Sequence, residues 1–238
     1  MILDCESLDS ALGSLAWSYE ATSNEVVAFL KNVDPETVPL PELVRSEFGN
    51  QKRMWESVYW FHLTRVPPGT DFDEGILPLH LALSKIWDAI IGAVRTPKAK
   101  RNLKRLREEG VPNRLYKMKV VDPLHAGPYA MLVREAAFHA AEMGNHDYLE
   151  VPEIIEDICD GYEKRFGHSI LSEVTAALQA CIVKFEAVDQ GGPDLALIVF
   201  NYCWCMIHDV ELSIYSNTCY DARDTIIPRL AIREVKFL

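Results

Sequence analysis

Residues 58–79 read VYWFHLTRVPPGTDFDEGILPL, and this stretch decides how the chain is read. Its first nine residues are rich in β-branched and aromatic side chains, and Pro67, Pro68 and Gly69 end the run, which is the composition of a strand followed by a turn. Such a strand alternates between two faces, or runs apolar throughout where both faces are covered. His62 and Thr64 interrupt it two residues apart, and so on one face. Polar groups there are either hydrogen-bonded within the fold or used for binding.

Outward from that strand the pattern is mostly helical. Leu8, Leu12, Leu15, Ala16 and Tyr19 recur at helical spacing within 7–32, and 40–48 reads as a short helix after a proline-rich turn. Residues 80–94 are apolar at Leu81, Leu83, Ile86, Trp87, Ile90 and Ile91, and a basic helix follows over about 98–109. A strand is expected over 115–121, and Pro128 is expected to open a helix that runs to Met143 and is capped by Gly144 and Asn145. Pro152 starts a helix that ends near Gly167, and a helix over about 169–179 leads into the strand ACIVKFEAV. Residues 194–208 carry both signals and are read as a helix capped by Asp194, while VELSIYS (210–216) and IREVKFL (232–238) read as strands. The sum is an α+β fold, with a helical cap over 1–50 and an α+β domain over 51–238 that carries a helical insertion at about 80–190.

Composition bounds the function. The 238 residues are 49% hydrophobic and 25% charged, enough to bury a core, and no run approaches the roughly 20 apolar residues of a membrane span. The start MILDCESLDS lacks the basic and apolar regions of a signal peptide, so a cytoplasmic protein is expected. Six cysteines without a CxxC pair suggest neither a disulfide framework nor a zinc site, and no metal is expected. Net charge is −11, yet residues 95–119 hold ten of the 24 Lys and Arg against only Glu108 and Glu109. Such a block is a solvated helix face or a footprint for phosphates, with Arg101, Lys104 and Arg105 as the contact candidates. Tyr116 is the aromatic residue on hand for base stacking.

The order His62-Leu63-Thr64-Arg65, a turn, Phe72, and then Glu74-Gly75-Ile76-Leu77-Pro78 resembles the first core strand of the ADP-ribosyltransferase superfamily, especially its members that modify nucleic acids. The resemblance implies a small twisted β core and a catalytic glutamate on a late strand, preceded two positions earlier by an acidic or amide residue. Asp209-Val210-Glu211 offers that pattern, with Asp209 shorter than the usual residue, and IPRLAIREVKF resembles the closing strand. On an extended segment Asp209 and Glu211 would share a face; Glu173 and Glu234 compete with them. The two matched segments are short.

NAD is an N-glycoside, and transfer of its ADP-ribose passes through an oxocarbenium-like state that a carboxylate stabilises. The resemblance implies that Glu211 takes this role, that His62 holds a ribose hydroxyl and that Thr64 orients either His62 or the ribose. Arg65 is the candidate for the diphosphate, although it falls on the opposite strand face from His62. Tyr129, in Leu124-His125-Ala126-Gly127-Pro128-Tyr129-Ala130-Met131-Leu132, enters an expected helix, and the resemblance implies that it is the aromatic residue that stacks on nicotinamide. The implied activity is NAD-dependent ADP-ribosyl transfer to a macromolecular acceptor, with nucleic acid bound through 95–119 as one such class.

Two other readings stand beside it. The same fold without catalysis would be an interaction module that meets a partner through its acidic surface and RNA, DNA or an acidic protein through its basic block. Arg134 and His139 have the Arg-x4-His spacing of helical HEPN-type ribonucleases, where arginine stabilises phosphorane charge and histidine moves a proton. His139, His146, Asp147 and Glu150 match no tetrahedral metal signature and read as a solvated loop.

Overall fold

The strand read at 58–66 forms at Ser57–Val66 and lies in the middle of a six-stranded sheet. The structure, a computed structural model, describes residues 1–35, 37–122, 127–188 and 194–238. Its strands are β1 (Ile2–Leu3), β2 (Ser57–Val66), β3 (Tyr129–Met131), β4 (Gln179–Ala187), β5 (Cys219–Asp221) and β6 (Ile232–Phe237). The sheet order is β5-β3-β2-β4-β6, with β1 parallel to β2 and Phe61 of β2 opposite Met131 of the antiparallel β3. Val58, Trp60, Phe61 and Leu63 of β2 and Cys181 to Phe185 of β4 are buried. This explains why both strands read as near-continuous apolar runs.

The helices are α1 (Leu8–Tyr19), α2 (Ser23–Asn32), α3 (Leu40–Phe48), α4 (Leu79–Ala93), α5 (Pro97–Glu109), α6 (Arg114–Val121), α7 (Glu153–Phe166), α8 (Leu171–Ala177) and α9 (Leu195–His208). With the sheet they make an α+β fold. The chain packs as two compact units, each drawn from three stretches of sequence: the first from 1–61, 130–145 and 184–220, the second from 62–129, 146–183 and 221–238. The first 61 residues are therefore not a separate cap, and the packing does not divide at residue 50.

In the first unit α9 is the central helix. Leu195, Val199, Phe200, Tyr202 and Cys203 are buried, and Phe200 joins Tyr19, Phe29 and Phe48 in an aromatic cluster with ring centroids 5.1 to 6.2 Å apart. Local chemistry sets the helix ends: Ser7 and Ser10, and Thr22 and Glu25, form reciprocal caps at the starts of α1 and α2, and Asp194 accepts the Leu197 N–H at the start of α9. Lys184 of β4 is buried but paired, 3.0 Å from Asp4 and 2.7 Å from Glu6, with its ammonium 4.2 Å from the Tyr59 ring centroid.

The second unit packs α4 to α8 around Trp87, Ile90, Leu103, Leu106, Ile158, Tyr162 and Val174. Lys119 of α6 ties that helix to α7 through Asp157 at 2.8 Å and Glu153 at 3.3 Å. Among the described residues no helix is long and apolar enough to cross a membrane.

Three expected elements differ. Residues 115–121 are helical because Asn113 caps them, its side-chain oxygen accepting the N–H groups of Leu115 and Tyr116. The helix expected from Pro128 to Met143 does not form, because sheet pairing claims its start: Tyr129–Met131 is β3, Leu132 donates to the Thr218 carbonyl and Val133 to Asn217 Oδ1. Glu135–Phe138 forms a 3₁₀ helix, and 140–144 a hydrogen-bonded turn. VELSIYS is a loop and a 3₁₀ turn, since Asp209 closes α9 in the left-handed conformation and Ser213 caps Ile214–Ser216.

Gly161 of α7 faces Val111, whose Cγ1 lies 2.2 Å from where a Cβ would stand. In an open helix Gly→Ala gains up to about 1 kcal/mol, but here the overpacking cost of about 1–3 kcal/mol outweighs it. Gly161→Ala should lower the urea midpoint; a raised midpoint would show that α7 and the 111–113 turn are not packed this closely.

Candidate functional site

The period of two in β2 separates its polar residues. Trp60, His62 and Thr64 share one face, and Phe61, Leu63 and Arg65 share the other. His62 and Thr64 are partly buried, and His62 Nδ1 lies 2.7 Å from the carbonyl oxygen of Tyr129 on the neighbouring strand. A carbonyl only accepts, so Nδ1 carries the proton and the neutral ring presents Nε2 as a hydrogen-bond acceptor. Burial pushes the imidazole pKa down, and the bond to the carbonyl, which favours the protonated ring, offsets this only in part. Among the described residues Nε2 has no partner.

The strand beyond β3 is β5, which ends in Asp221. Ala222 donates to the Pro128 carbonyl at 2.9 Å, pairing the end of β5 with the start of β3. The Tyr129 phenol is held above its ordinary pKa by burial and then by the negative charges of Asp221, Glu153 and Asp122. Asp221 Oδ1 accepts the Arg223 N–H at 2.9 Å. Arg223 and Asp224 follow in the left-handed conformation, at φ 49° and 65°, and Asp224 pairs with His80 at 2.8 Å.

The Glu74-Gly75-Ile76 segment meets this turn. Ile76 and Ile227 exchange main-chain hydrogen bonds of 2.9 and 3.0 Å. A Cβ on Gly75, at φ 83°, would stand 2.1 Å from the Ile227 carbonyl oxygen, so only glycine fits. Phe72 is also left-handed, at φ 56°. Non-glycine residues in this region are strained and concentrate where a fold shapes a site.

Arg65 is placed otherwise. Its NH1 donates to the carbonyls of Leu149 at 2.6 Å and Glu150 at 3.2 Å, and its NH2 to those of Thr175 and Leu178, both at 2.9 Å. The guanidinium ties β2 to the 149–150 segment and the end of α8, where helix carbonyls favour a cation. Four of its donors are spent on main chain, and its buried Nε has no partner, so a diphosphate would have to break these bonds.

Asp209 and Glu211 belong to the first unit, whereas His62, Thr64 and Tyr129 belong to the second. Asp209 is the left-handed end of α9 and Glu211 is exposed in the following loop. The segment is not extended, and the shared strand face expected for the two carboxylates does not exist. Tyr129 stands on β3 instead of opening a helix, and Leu124 to Ala126 of its segment lie outside the described residues. Glu173 accepts the Arg95 N–H at 2.7 Å and Glu234 is exposed on β6.

Arg101 and Lys104 are exposed on α5, and Arg105 beside them pairs with Glu109 at 2.9 Å. Arg134 and His139 flank the short 3₁₀ turn, with the guanidinium 5.7 Å from the Phe138 ring centroid and His139 3.5 Å from Glu135. His146 bonds the Val151 carbonyl, and Asp147 accepts the N–H groups of Leu149 and Glu150. Among the described residues no cluster of His, Cys, Asp and Glu is placed to hold a metal ion. The sequence reading missed Asp221, His80 and Asp224, and the signal for Asp221 was its place just before the expected closing strand. No family model, curated protein or solved structure matches the chain.

The lowered His62 pKa fixes a pH dependence. Below the ordinary histidine value of 6.5 the unfolded chain binds a proton that the folded ring resists, so stability falls as pH drops through that window. Melting His62→Gln beside the wild type at pH 7.5 and 5.5 should show a smaller acid-induced loss in the variant; equal losses would mean that His62 is not held neutral.

Proposed function

We propose that this protein transfers ADP-ribose from NAD to a macromolecular acceptor at a site built around His62 of β2, with Tyr129 of β3 and Asp221 of β5 as the further groups of the reading. The observation that carries the reading is the His62 imidazole, held on the Tyr129 main-chain carbonyl with its Nε2 left without a partner among the described residues. It rests also on the resemblance of residues 58–79 to the first core strand of ADP-ribosyltransferases.

In this reading Nε2 of His62 accepts a ribose hydroxyl, and Thr64, on the same strand face, orients it. The exposed part of the Tyr129 ring offers a surface on which nicotinamide stacks. Asp221 takes the carboxylate role: as the bond from C1′ to nicotinamide breaks and its electron pair leaves with the base, the carboxylate stabilises the positive charge on the sugar. An acceptor nucleophile then bonds to C1′ and gives up its proton. The reading takes the cytoplasm as its compartment.

The test separates the two carboxylates. Calorimetry with NAD and an assay for released nicotinamide would compare wild type, His62→Ala, Asp221→Asn and Glu211→Gln. His62→Ala should weaken NAD binding by about tenfold, the size of one lost hydrogen bond. Asp221→Asn should keep binding and lose turnover by about 100-fold or more, while Glu211→Gln keeps both. Loss of turnover in Glu211→Gln alone would return the chemistry to the loop after α9, and no NAD binding by the wild type would overturn the transferase reading. The carbonyl-bound state of Arg65 and the exposed loop position of Glu211 favour, as a second reading, the same fold used as a non-catalytic interaction module.

A further inference from the structure

The two units divide the protein's charge unequally. The first contains 17 acidic and 6 basic residues, the second 18 of each. The whole net charge of −11 therefore belongs to the first unit, and the second is neutral although its 95–119 segment is strongly basic. Local fields act within about 8–10 Å at physiological salt, so the partner of that segment is set by the groups near it and not by the net charge of the chain.

Much of the segment's charge is unpaired. Arg95, Arg105, Arg107 and Lys119 have carboxylate partners in Glu173, Glu109, Asp88 and Asp157. Lys98, Lys100, Arg101, Lys104, Arg114 and Lys117 have none among the described residues. On α5 the buried side chains are Ala99, Leu103 and Leu106, which turns Lys98, Arg101 and Lys104 with Arg105 to solvent. At about 1.5 Å per helical residue, Lys98 to Arg105 spans about 10 Å, the rise of about three phosphates along one strand of a duplex.

We infer that this α5 face, extended by Arg114 and Lys117 of α6, binds the phosphate backbone of double-stranded nucleic acid without reading its sequence. Stacking on single-stranded bases is not available there: the Tyr116 hydroxyl accepts the Trp87 indole N–H at 3.2 Å, and the two rings lie edge to face, 6.3 Å apart. Insertion into an anionic membrane is not available to α5 either, because its apolar side is in the core. The surface does not use His62, Tyr129 or Asp221, and its test requires no NAD.

The experiment is a fluorescence-anisotropy titration of the full-length protein with a labelled DNA duplex of about 30 base pairs and mixed sequence, between about 50 and 200 mM salt. The wild type should bind with a steep salt dependence, and Arg101→Gln with Lys104→Gln should weaken it by about tenfold or more at low salt and reduce the slope of log K against log salt by about 2. Lys31→Gln with Lys52→Gln, the same charge loss placed in the first unit, should leave both nearly unchanged. Four results would overturn the inference: no binding at the lowest salt, equal weakening by the two pairs, a duplex affinity that ignores salt, or tighter binding to phosphatidylserine vesicles than to the duplex.

Discussion

The alternation of β2 is the constraint on which the rest depends. One face carries Trp60, His62 and Thr64 and the other Phe61, Leu63 and Arg65, so a one-residue slip would exchange every member of the two sets. The carbonyl-bound guanidinium of Arg65 resists such a slip, because its partners come from the 149–150 segment and from α8. With β2 held in that register, His62 meets the Tyr129 carbonyl and its proton is fixed on one nitrogen. Packing on one face thus determines the chemistry available on the other.

Buried charge is handled in two ways. Lys184 and Lys119 are each held by a pair of carboxylates, the arrangement that offsets desolvation best when additional contacts surround the ions. Arg65 uses main-chain carbonyls and no carboxylate, and its planar fork reaches four of them from two nitrogens, more than the three donors on the single nitrogen of an ammonium could hold. A change of Arg65 to lysine would keep the charge and lose the geometry.

Most elements were legible in the sequence because their signals are local. Asp194 before an apolar run gave α9, Pro152 and Gly167 bracketed α7, and the β-branched runs gave β2, β4 and β6. The failures have two causes, a partner distant in sequence and a local cap that outweighs intrinsic preference. Val120 and Val121 favour strand, yet the Asn113 cap makes α6. Residues 129–133 have a helix-like run after Pro128, yet Thr218 and Asn217 claim their N–H groups. The site was legible on β2, where His62 and Thr64 stand out against apolar neighbours. Its acidic side was not: the two-residue spacing of Asp209 and Glu211 assumed an extended chain that the left-handed Asp209 ends, and Asp221 came into view only through the pairing of β5 with β3.

The central claim is that His62 is a neutral, Nδ1-protonated imidazole whose Nε2 is offered to a ligand. Long-range ¹H–¹⁵N spectra of protein labelled in its histidines, with His62→Gln to assign the signal, report the tautomer directly. The account predicts a protonated-type Nδ1 and an acceptor-type Nε2 at pH 7, with the Nε2 resonance moving when NAD is added. An Nε2-protonated or doubly protonated ring, or a resonance that NAD leaves in place, would contradict it.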